Sequence, residues 1–211
     1  MKKGYTHLVN ILDRSGSVEK VISDMRGAYN TYIREQQKIA GKCTVTTTVF
    51  DNEVKILDDF VDIKSFTELT ESNYFASGMT ALLDAVGMTL NKVGEKLNAL
   101  AEDEKPELVV VYINTDGLEN ASSDFTRAKI AEMIKVQQDV YKWKFLFLGA
   151  NIDAFSEGGS LNIHNNANYI QTSAGIKGMS NNLVYSVSVA RGANLTKTSD
   201  VEDYFANSVN R

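Results

Sequence analysis

Residues Leu8–Ser17, LVNILDRSGS, form an apolar run that breaks into an Asp-x-Ser-x-Ser sequence. A buried strand that ends at Asp13, followed by a tight turn, would bring one carboxylate and the hydroxyls of Ser15 and Ser17 to one point. Hard oxygen ligands of this kind suit Mg²⁺ or Mn²⁺, which bind about six oxygens. In isolation the same residues are more often an ordinary turn or helix cap, so the rest of the chain must decide between the two interpretations.

Segments with helical spacing alternate with short apolar segments after this motif. Val18–Gln36 carries apolar residues at intervals of three and four, whereas Cys43–Phe50 and Val54–Val61 are two strand-like segments joined by a tight turn. The short turn predicts that these two strands pair antiparallel, with the second at the edge of the sheet.

The second half of the chain continues the alternation. A loop over 62–79 leads to a helix that Thr80 would cap, and Leu108–Ile113 is an apolar strand that should be central. A helix capped by Ser122 or Ser123 should follow. A strand over Trp143–Leu148 comes next. Beyond about Asn151, less regular patterns predict a short helix near Asp153, a strand over Tyr169–Gln171 and a helix over Asn182–Arg191.

These elements predict an α/β protein with a three-layer, doubly wound, Rossmann-like architecture. The sheet should be mostly parallel with one antiparallel edge strand. We expect a single domain over 1–211, with a core of about 5–172 and a C-terminal helix and loose tail over 173–211.

The composition and net charge of the chain limit the kinds of protein and partner that we consider. The chain has 211 residues, 43% of them hydrophobic and 23% charged, as is typical of a soluble globular protein. The net charge of −5 argues against a nucleic-acid partner, which would require clusters of Lys and Arg. The sequence holds no apolar run of about 20 residues, so we expect no membrane contact and a cytoplasmic location. The single cysteine, Cys43, predicts a buried strand thiol and excludes an internal disulfide.

Three polar groups fall where strands end or the following helices begin. They are the Asp13–Ser17 turn, Thr80 and Asp116. Ligand sites of open α/β sheets lie beyond the carboxyl ends of the strands, so the three groups should meet. Thr80 alone is explained as a helix cap and Asp116 alone as a turn residue, but their common position favours a cation site.

This set of residues resembles the metal-ion-dependent adhesion site (MIDAS) of von Willebrand factor A (VWA) domains, which combines Asp-x-Ser-x-Ser with a distant Thr and a distant Asp. GMTALLDA at 78–85 looks like the Thr motif of that family, and Ile113–Gly117 looks like its Asp motif. DGLENAS at 116–122 and FLGANID at 147–153 are further similar to small stand-alone VWA proteins of bacteria and their phages.

The resemblance implies that Ser15, Ser17 and Thr80 bind Mg²⁺ or Mn²⁺ directly, while Asp13 and Asp116 act mainly through water. Hydroxyl ligands leave much of the charge of the cation uncompensated, so an Asp or Glu carboxylate of a partner protein would complete the coordination. The expected function is a metal-dependent protein-binding module rather than an enzyme.

Seven residues are predicted to form a rim around this site: Arg14, Tyr74, Phe75, Glu119, Asn120, Asn151 and Asp153. Arg14 could contact the carboxylate of the partner, but an exposed loop arginine that points to solvent is the commoner case.

Two other functions stay open at this point. A metal-assisted hydrolase or phosphotransferase would use the same cation, but the chain has no Walker phosphate loop and no Gly-x-Gly-x-x-Gly fingerprint. Ser15 stands where an Asp-x-Asp phosphatase would carry a second acid, and neither His7 nor His164 has an obvious nucleophile to activate. The remaining alternative is a scaffold that does not use the site.

Overall fold

The protein folds around a sheet of six strands. The structure is a computed structural model that describes residues 1–192. The predicted loose tail falls on 193–211 and so lies outside the described residues. The strands are β1 (Lys2–Asp13), β2 (Lys42–Phe50), β3 (Val54–Asp62), β4 (Pro106–Thr115), β5 (Lys144–Ala150) and β6 (Asn166–Tyr169).

The strand order is β3-β2-β1-β4-β5-β6. Every neighbouring pair is parallel except β2 with β3, because only a tight turn joins these two. The predicted sheet, mostly parallel with an antiparallel edge strand, is therefore confirmed. The order reverses between β1 and β4, which makes the carboxyl ends of these two strands the expected ligand-binding edge.

Helices cover both faces of the sheet. They are α1 (Ile22–Gln37), α2 (Leu82–Asn98), α3 (Arg127–Asp139), α4 (Ala154–Ser160) and α5 (Ser173–Gly192). Leu8 and Leu12 of β1 pack with α1 and α5, whereas Val9 and Ile11 pack with α2, α3 and α4. This alternation gives a buried sheet between two helical layers, as predicted. Within residues 1–192, no helix is both long and apolar enough to span a membrane.

The start of α5 differs from the prediction. The helix begins at Ser173 rather than Asn182, so Gly175 lies inside it, and β6 ends at Tyr169, before Gln171. A Cβ added at Gly175 would lie 2.0 Å from the carbonyl oxygen of Ile170, so only glycine fits where the helix leaves the strand. The first turns of α5 contain glycine and serine and few apolar residues, so the helical spacing of apolar residues becomes recognisable only later in the helix.

The predicted helix caps are also wrong. Ala81, not Thr80, is the N-cap of α2, and Thr126 caps α3 by accepting a bond from the backbone N–H of Lys129. Neither Ser122 nor Ser123 is the N-cap of α3. The hydroxyl of Thr80 is therefore left free of a capping role.

Candidate metal site

The site starts where β1 ends. Asp13 is 2% exposed, and its carboxylate accepts the backbone N–H of Ser15 at 2.7 Å and the hydroxyl of Thr115 at 2.5 Å. Burial raises the pKa of Asp13 to about 6, while these hydrogen bonds act in the opposite direction. Both oxygens are thus held in place by the ends of β1 and β4.

The two serine hydroxyls continue from this carboxylate. The Oγ atoms of Ser15 and Ser17 are 3.0 Å apart, and Ser17 Oγ donates to Asp116 Oδ1 at 2.5 Å. The turn is tied to the loop before α2 because the N–H of Gly16 donates to the carbonyl oxygen of Gly78 at 3.2 Å. Ser15 is buried and Ser17 is exposed, so the pair connects the interior to the surface.

Thr80 completes the hydroxyl set from a second loop. Its backbone N–H donates to Asn120 Oδ1 at 2.9 Å, and its carbonyl oxygen accepts the N–H of Asn120 at 3.1 Å. In contrast, Thr80 Oγ1 has no hydrogen-bond partner among residues 1–192. A Cβ added at Gly117 would lie 2.8 Å from this oxygen and 3.7 Å from Ser17 Oγ. Glycine therefore keeps the space between the two hydroxyls open.

Asp116 stands at the end of β4, opposite the serine turn. It is 5% exposed; Ser17 bonds one of its oxygens, and the side-chain amide of Gln171 donates to the other. Burial raises the pKa of Asp116, and the bonds from Ser17 and Gln171 lower it. The structure thus brings all five predicted ligands to one edge of the sheet.

The donor set fits a small, hard cation. Adjacent oxygens around an octahedral Mg²⁺ at about 2.1 Å are about 3.0 Å apart, and the Oγ atoms of Ser15 and Ser17 are separated by 3.0 Å. Within residues 1–192, no three His, Cys, Asp or Glu side chains group into a metal site. A cation held here would therefore depend on hydroxyl oxygens together with the two carboxylates, and such a site favours Mg²⁺ or Mn²⁺ over soft metals.

Two of the predicted rim residues lie under the site instead. Arg14 is 7% exposed and pairs with Asp51 at 3.1 Å, while the Phe75 ring covers its guanidinium at 5.0 Å. The solvent-facing interpretation of Arg14 was wrong because the turn after β2 supplies a buried carboxylate. Tyr74 is 1% exposed and its hydroxyl donates to the carbonyl oxygen of Asp13, so it holds the backbone of the motif from the protein interior.

The other predicted rim residues hold loops in place, with one exception. The Glu119 carboxylate accepts the backbone N–H groups of Leu83, Ala121 and Ser122, and Asn120 positions Thr80 as described above. Asp153 caps α4, and Asn151 donates to Gln171. Phe75, 46% exposed, presents its ring at the surface. The partner-binding role of these residues stays a prediction.

Sequence reasoning missed Thr115, Gln171 and the anchoring role of Asp84. Thr115 could have been found, because it directly precedes Asp116 at the end of the central strand. Gln171 carried no signal, since its segment was assigned to a strand. Asp84, in the first turn of α2, accepts the N–H groups of residues 123–125 and so fixes the loop that follows Asp116.

No protein-family model matches the sequence, and no curated protein matches it either. Solved structures do share the fold. The von Willebrand factor domain of the type V pili tip protein Mfa5 from Porphyromonas gingivalis superposes with a TM-score of 0.62 at 11% identity, over 91% of this chain and 98% of that one.

Two further structures are similar over part of their length. Proximal thread matrix protein 1 from the mussel byssus, with a zinc-occupied MIDAS motif, gives a TM-score of 0.58 at 14% identity, over 89% of this chain and 46% of that one. The von Willebrand factor type A protein from Catenulispora acidiphila gives 0.54 at 11% identity, over 97% and 42%. The chain thus spans less than half the length of these two. At such identities the likeness shows the fold, and the predicted VWA fold is confirmed at that level.

Proposed function

We propose that this chain, which has the fold of VWA domains, is a metal-dependent protein-binding module. Ser15, Ser17 and Thr80 would hold Mg²⁺ or Mn²⁺, and Asp13 and Asp116 would orient the hydroxyls and the water around it. A carboxylate of a partner protein would complete the coordination. The whole of this assignment rests on the residues of one sheet edge.

The observation that carries the proposal is the hydroxyl of Thr80. Thr80 is 3% exposed and its hydroxyl caps no helix. The side-chain oxygen takes part in none of the hydrogen bonds described within residues 1–192, and it lies beside the space that Gly117 leaves open next to Ser17. A hydroxyl oxygen that no neighbouring group uses is available as a ligand for a cation. The carboxylates of Asp13 and Asp116 lie beside this hydroxyl set, where they would orient the hydroxyls and the water around the ion.

The same residues account for the choice of a carboxylate as the ligand. Three neutral hydroxyls leave the charge of a bound cation largely uncompensated, so a negative ligand gains strongly there. Asp116 is already bonded by Ser17 and by Gln171, which keeps it beside the site rather than free to neutralise the ion. Ser17 is exposed and marks the side from which a partner would approach.

Titration calorimetry with Mg²⁺ and Mn²⁺ tests the metal site. The wild type should bind, and both Asp13→Ala and Ser17→Ala should bind much more weakly; Ser17 is exposed, so its variant should fold normally. Asp124→Ala, on the exposed surface of a nearby loop, is the control and should bind as the wild type does. Equal binding by all four proteins, or none at millimolar metal, would remove the site assignment.

Pull-down from the native host, with and without EDTA, tests the adhesion-type function. The proposal expects capture that chelation and Ser17→Ala both abolish. An interaction that ignores both would instead support a scaffold. A pili tip protein and a thread matrix protein with a zinc-occupied MIDAS motif share this fold, which agrees with a metal-dependent binding role.

We further propose that the chain is not a catalyst and that it acts in the cytoplasm, as its sequence suggests. Metal-dependent turnover of phosphate esters by the wild type, lost in Asp13→Ala, would establish the hydrolase alternative.

A further inference from the structure

Four large apolar side chains lie exposed around the candidate metal site. Phe75, Met79, Leu118 and Ile170 are 46%, 55%, 61% and 74% exposed. We call these four residues the apolar collar. Residues 1–192 expose eleven large apolar side chains in all, so more than a third of them belong to this one neighbourhood. Exposed apolar groups concentrated in one place indicate an interaction surface.

Each collar residue is fixed next to a group of the site. Met79 directly precedes Thr80, and Leu118 directly follows the Gly117 that faces its hydroxyl. Phe75 lies over the guanidinium of Arg14. Ile170 precedes the glutamine whose amide bonds Asp116. The collar therefore comes from three separate loops that meet where the hydroxyls reach the surface.

Two charged groups beside the collar are already occupied. Arg14 forms a buried ion pair with Asp51. The Glu119 carboxylate accepts backbone N–H groups from the first turn of α2 and from its own loop. These two groups therefore offer no free charge to the neighbours of a bound carboxylate. Those neighbours would meet the apolar collar, and covering it would remove apolar surface from water, which is favourable.

A groove begins at one end of the collar. Its volume is about 220 Å³, it lies between β6 and α5, and Ile170, Gly175 and Met179 are among its lining residues. Glycine at 175 and 178 keeps the wall of α5 low along the groove. An apolar side chain of a partner could enter here while its carboxylate faces Ser17.

We infer that the partner presents an Asp or Glu flanked by large apolar residues, so that the carboxylate meets the cation while its neighbours pack on the apolar collar. This inference rests on the function proposed above and adds the chemical class of the partner segment. The carboxylate complements the charge of the cation, and the collar complements apolar flanks.

Selection of random linear peptides displayed on phage, in Mg²⁺ and with elution by EDTA, tests the inference. Enriched peptides should carry an acidic residue with large apolar residues on one or both sides. A synthetic peptide of the enriched sequence should bind the Met79→Ser, Leu118→Ser double variant about tenfold more weakly or worse. Val140→Ser is the matched control, because Val140 is 64% exposed but lies at the end of α3, outside the collar.

The outcomes separate the two proposals. Peptides eluted by EDTA that are acidic with polar flanks, or that bind the double variant as tightly as the wild type, would overturn the role of the collar and leave the metal-dependent function standing. A total lack of peptides eluted by EDTA would count against that function itself. Dimerisation of the protein that requires Mg²⁺, measured by sedimentation, would identify a second copy as the occupant and overturn the inference of a separate partner.

Discussion

Ser17 Oγ donates a hydrogen bond of 2.5 Å to Asp116 Oδ1 across 99 positions of sequence. The bond joins the turn after β1 to the end of β4, at the point where the strand order of the sheet reverses. The hydroxyl directs its proton toward the carboxylate, which leaves an oxygen lone pair for a cation. This relationship is the basis for treating Asp116 as a partner of the serines rather than as a lone turn residue.

Thr80→Val should weaken Mg²⁺ binding by about tenfold or more, because it removes a direct ligand and keeps the shape of the side chain. The free energy of unfolding in EDTA should change by no more than about 0.5 kcal/mol, since Thr80 Oγ1 has no hydrogen bond to lose within residues 1–192. Calorimetry and urea denaturation measure the two quantities.

Thr126→Val makes the same chemical change at the N-cap of α3 and serves as the control. It should cost about 1 kcal/mol of stability, because the hydroxyl accepts the N–H of Lys129. Its Mg²⁺ affinity should match that of the wild type. If the two variants gave the same pair of results, Thr80 would be an ordinary structural threonine.

Arg14→Ala should lower the free energy of unfolding by about 3 kcal/mol, because the Asp51 carboxylate would remain buried without its positively charged partner. The side chains of the pair are only 8% and 5% exposed. Arg14→Met combined with Asp51→Asn should recover much of the loss, since both charges are then removed. Unchanged stability together with weaker binding of acidic peptides would restore the original idea that Arg14 contacts the partner.

The stability of the protein should fall in mild acid because of His7. Burial lowers the pKa of His7 to about 3, and its ring lies 2.8 Å from Thr44 Oγ1 and stacks on Phe60. In the unfolded chain the imidazole of His7 is protonated below about pH 6.5. Between pH 6.5 and 3 the unfolded state therefore binds one proton more at His7 than the folded state does. The stability of the folded state should therefore fall by about 1.4 kcal/mol for each pH unit below 6.5.

The difference between wild type and His7→Gln isolates this contribution from that of the carboxylates. Urea denaturation at pH 7.5 and at pH 5 should show a smaller loss for the variant, by about 2 kcal/mol. His164→Gln, at an exposed histidine, should keep the loss seen in the wild type. Parallel pH profiles for wild type and His7→Gln would mean that His7 is protonated in the folded protein.

Gln171 should transmit metal binding to α5. Its amide bonds the Asp116 carboxylate, and the helix begins two residues later, at Ser173. Mg²⁺ should change the amide hydrogen exchange of the first turns of α5 in the wild type, but not in Gln171→Ala. Ser173→Ala, which removes a bond of 2.7 Å to Asp24 at the same helix start, should retain the response. A response that survives in Gln171→Ala would exclude this route.

Local patterns predicted the fold and the five candidate ligands. The apolar stretches of β1 and β4 end at Asp13 and next to Asp116, and the tight turn before β3 fixes its antiparallel pairing. Each of these features depends on residues that are close in sequence. A parallel sheet then brings the strand ends together, which is why widely separated residues could be assigned to one edge.

Features that depend on distant partners could not be predicted. The residues next to Arg14 in sequence do not indicate its ion pair with Asp51. Likewise, the residues next to Tyr74 do not indicate that its hydroxyl donates to the carbonyl oxygen of Asp13. The start of α5 was missed for a different reason. Gly175 lies inside the helix, where the carbonyl oxygen of Ile170 leaves no room for a side chain, whereas glycine usually indicates the end of a helix.

Anomalous diffraction from crystals grown in Mn²⁺ would locate the cation among its ligands. We expect one strong manganese peak within about 2.2 Å of the hydroxyl oxygens of Ser15, Ser17 and Thr80. The peak should vanish in crystals of Ser17→Ala. A site empty at millimolar Mn²⁺ in the wild type, or manganese bound only elsewhere, would show that these residues do not form a metal site.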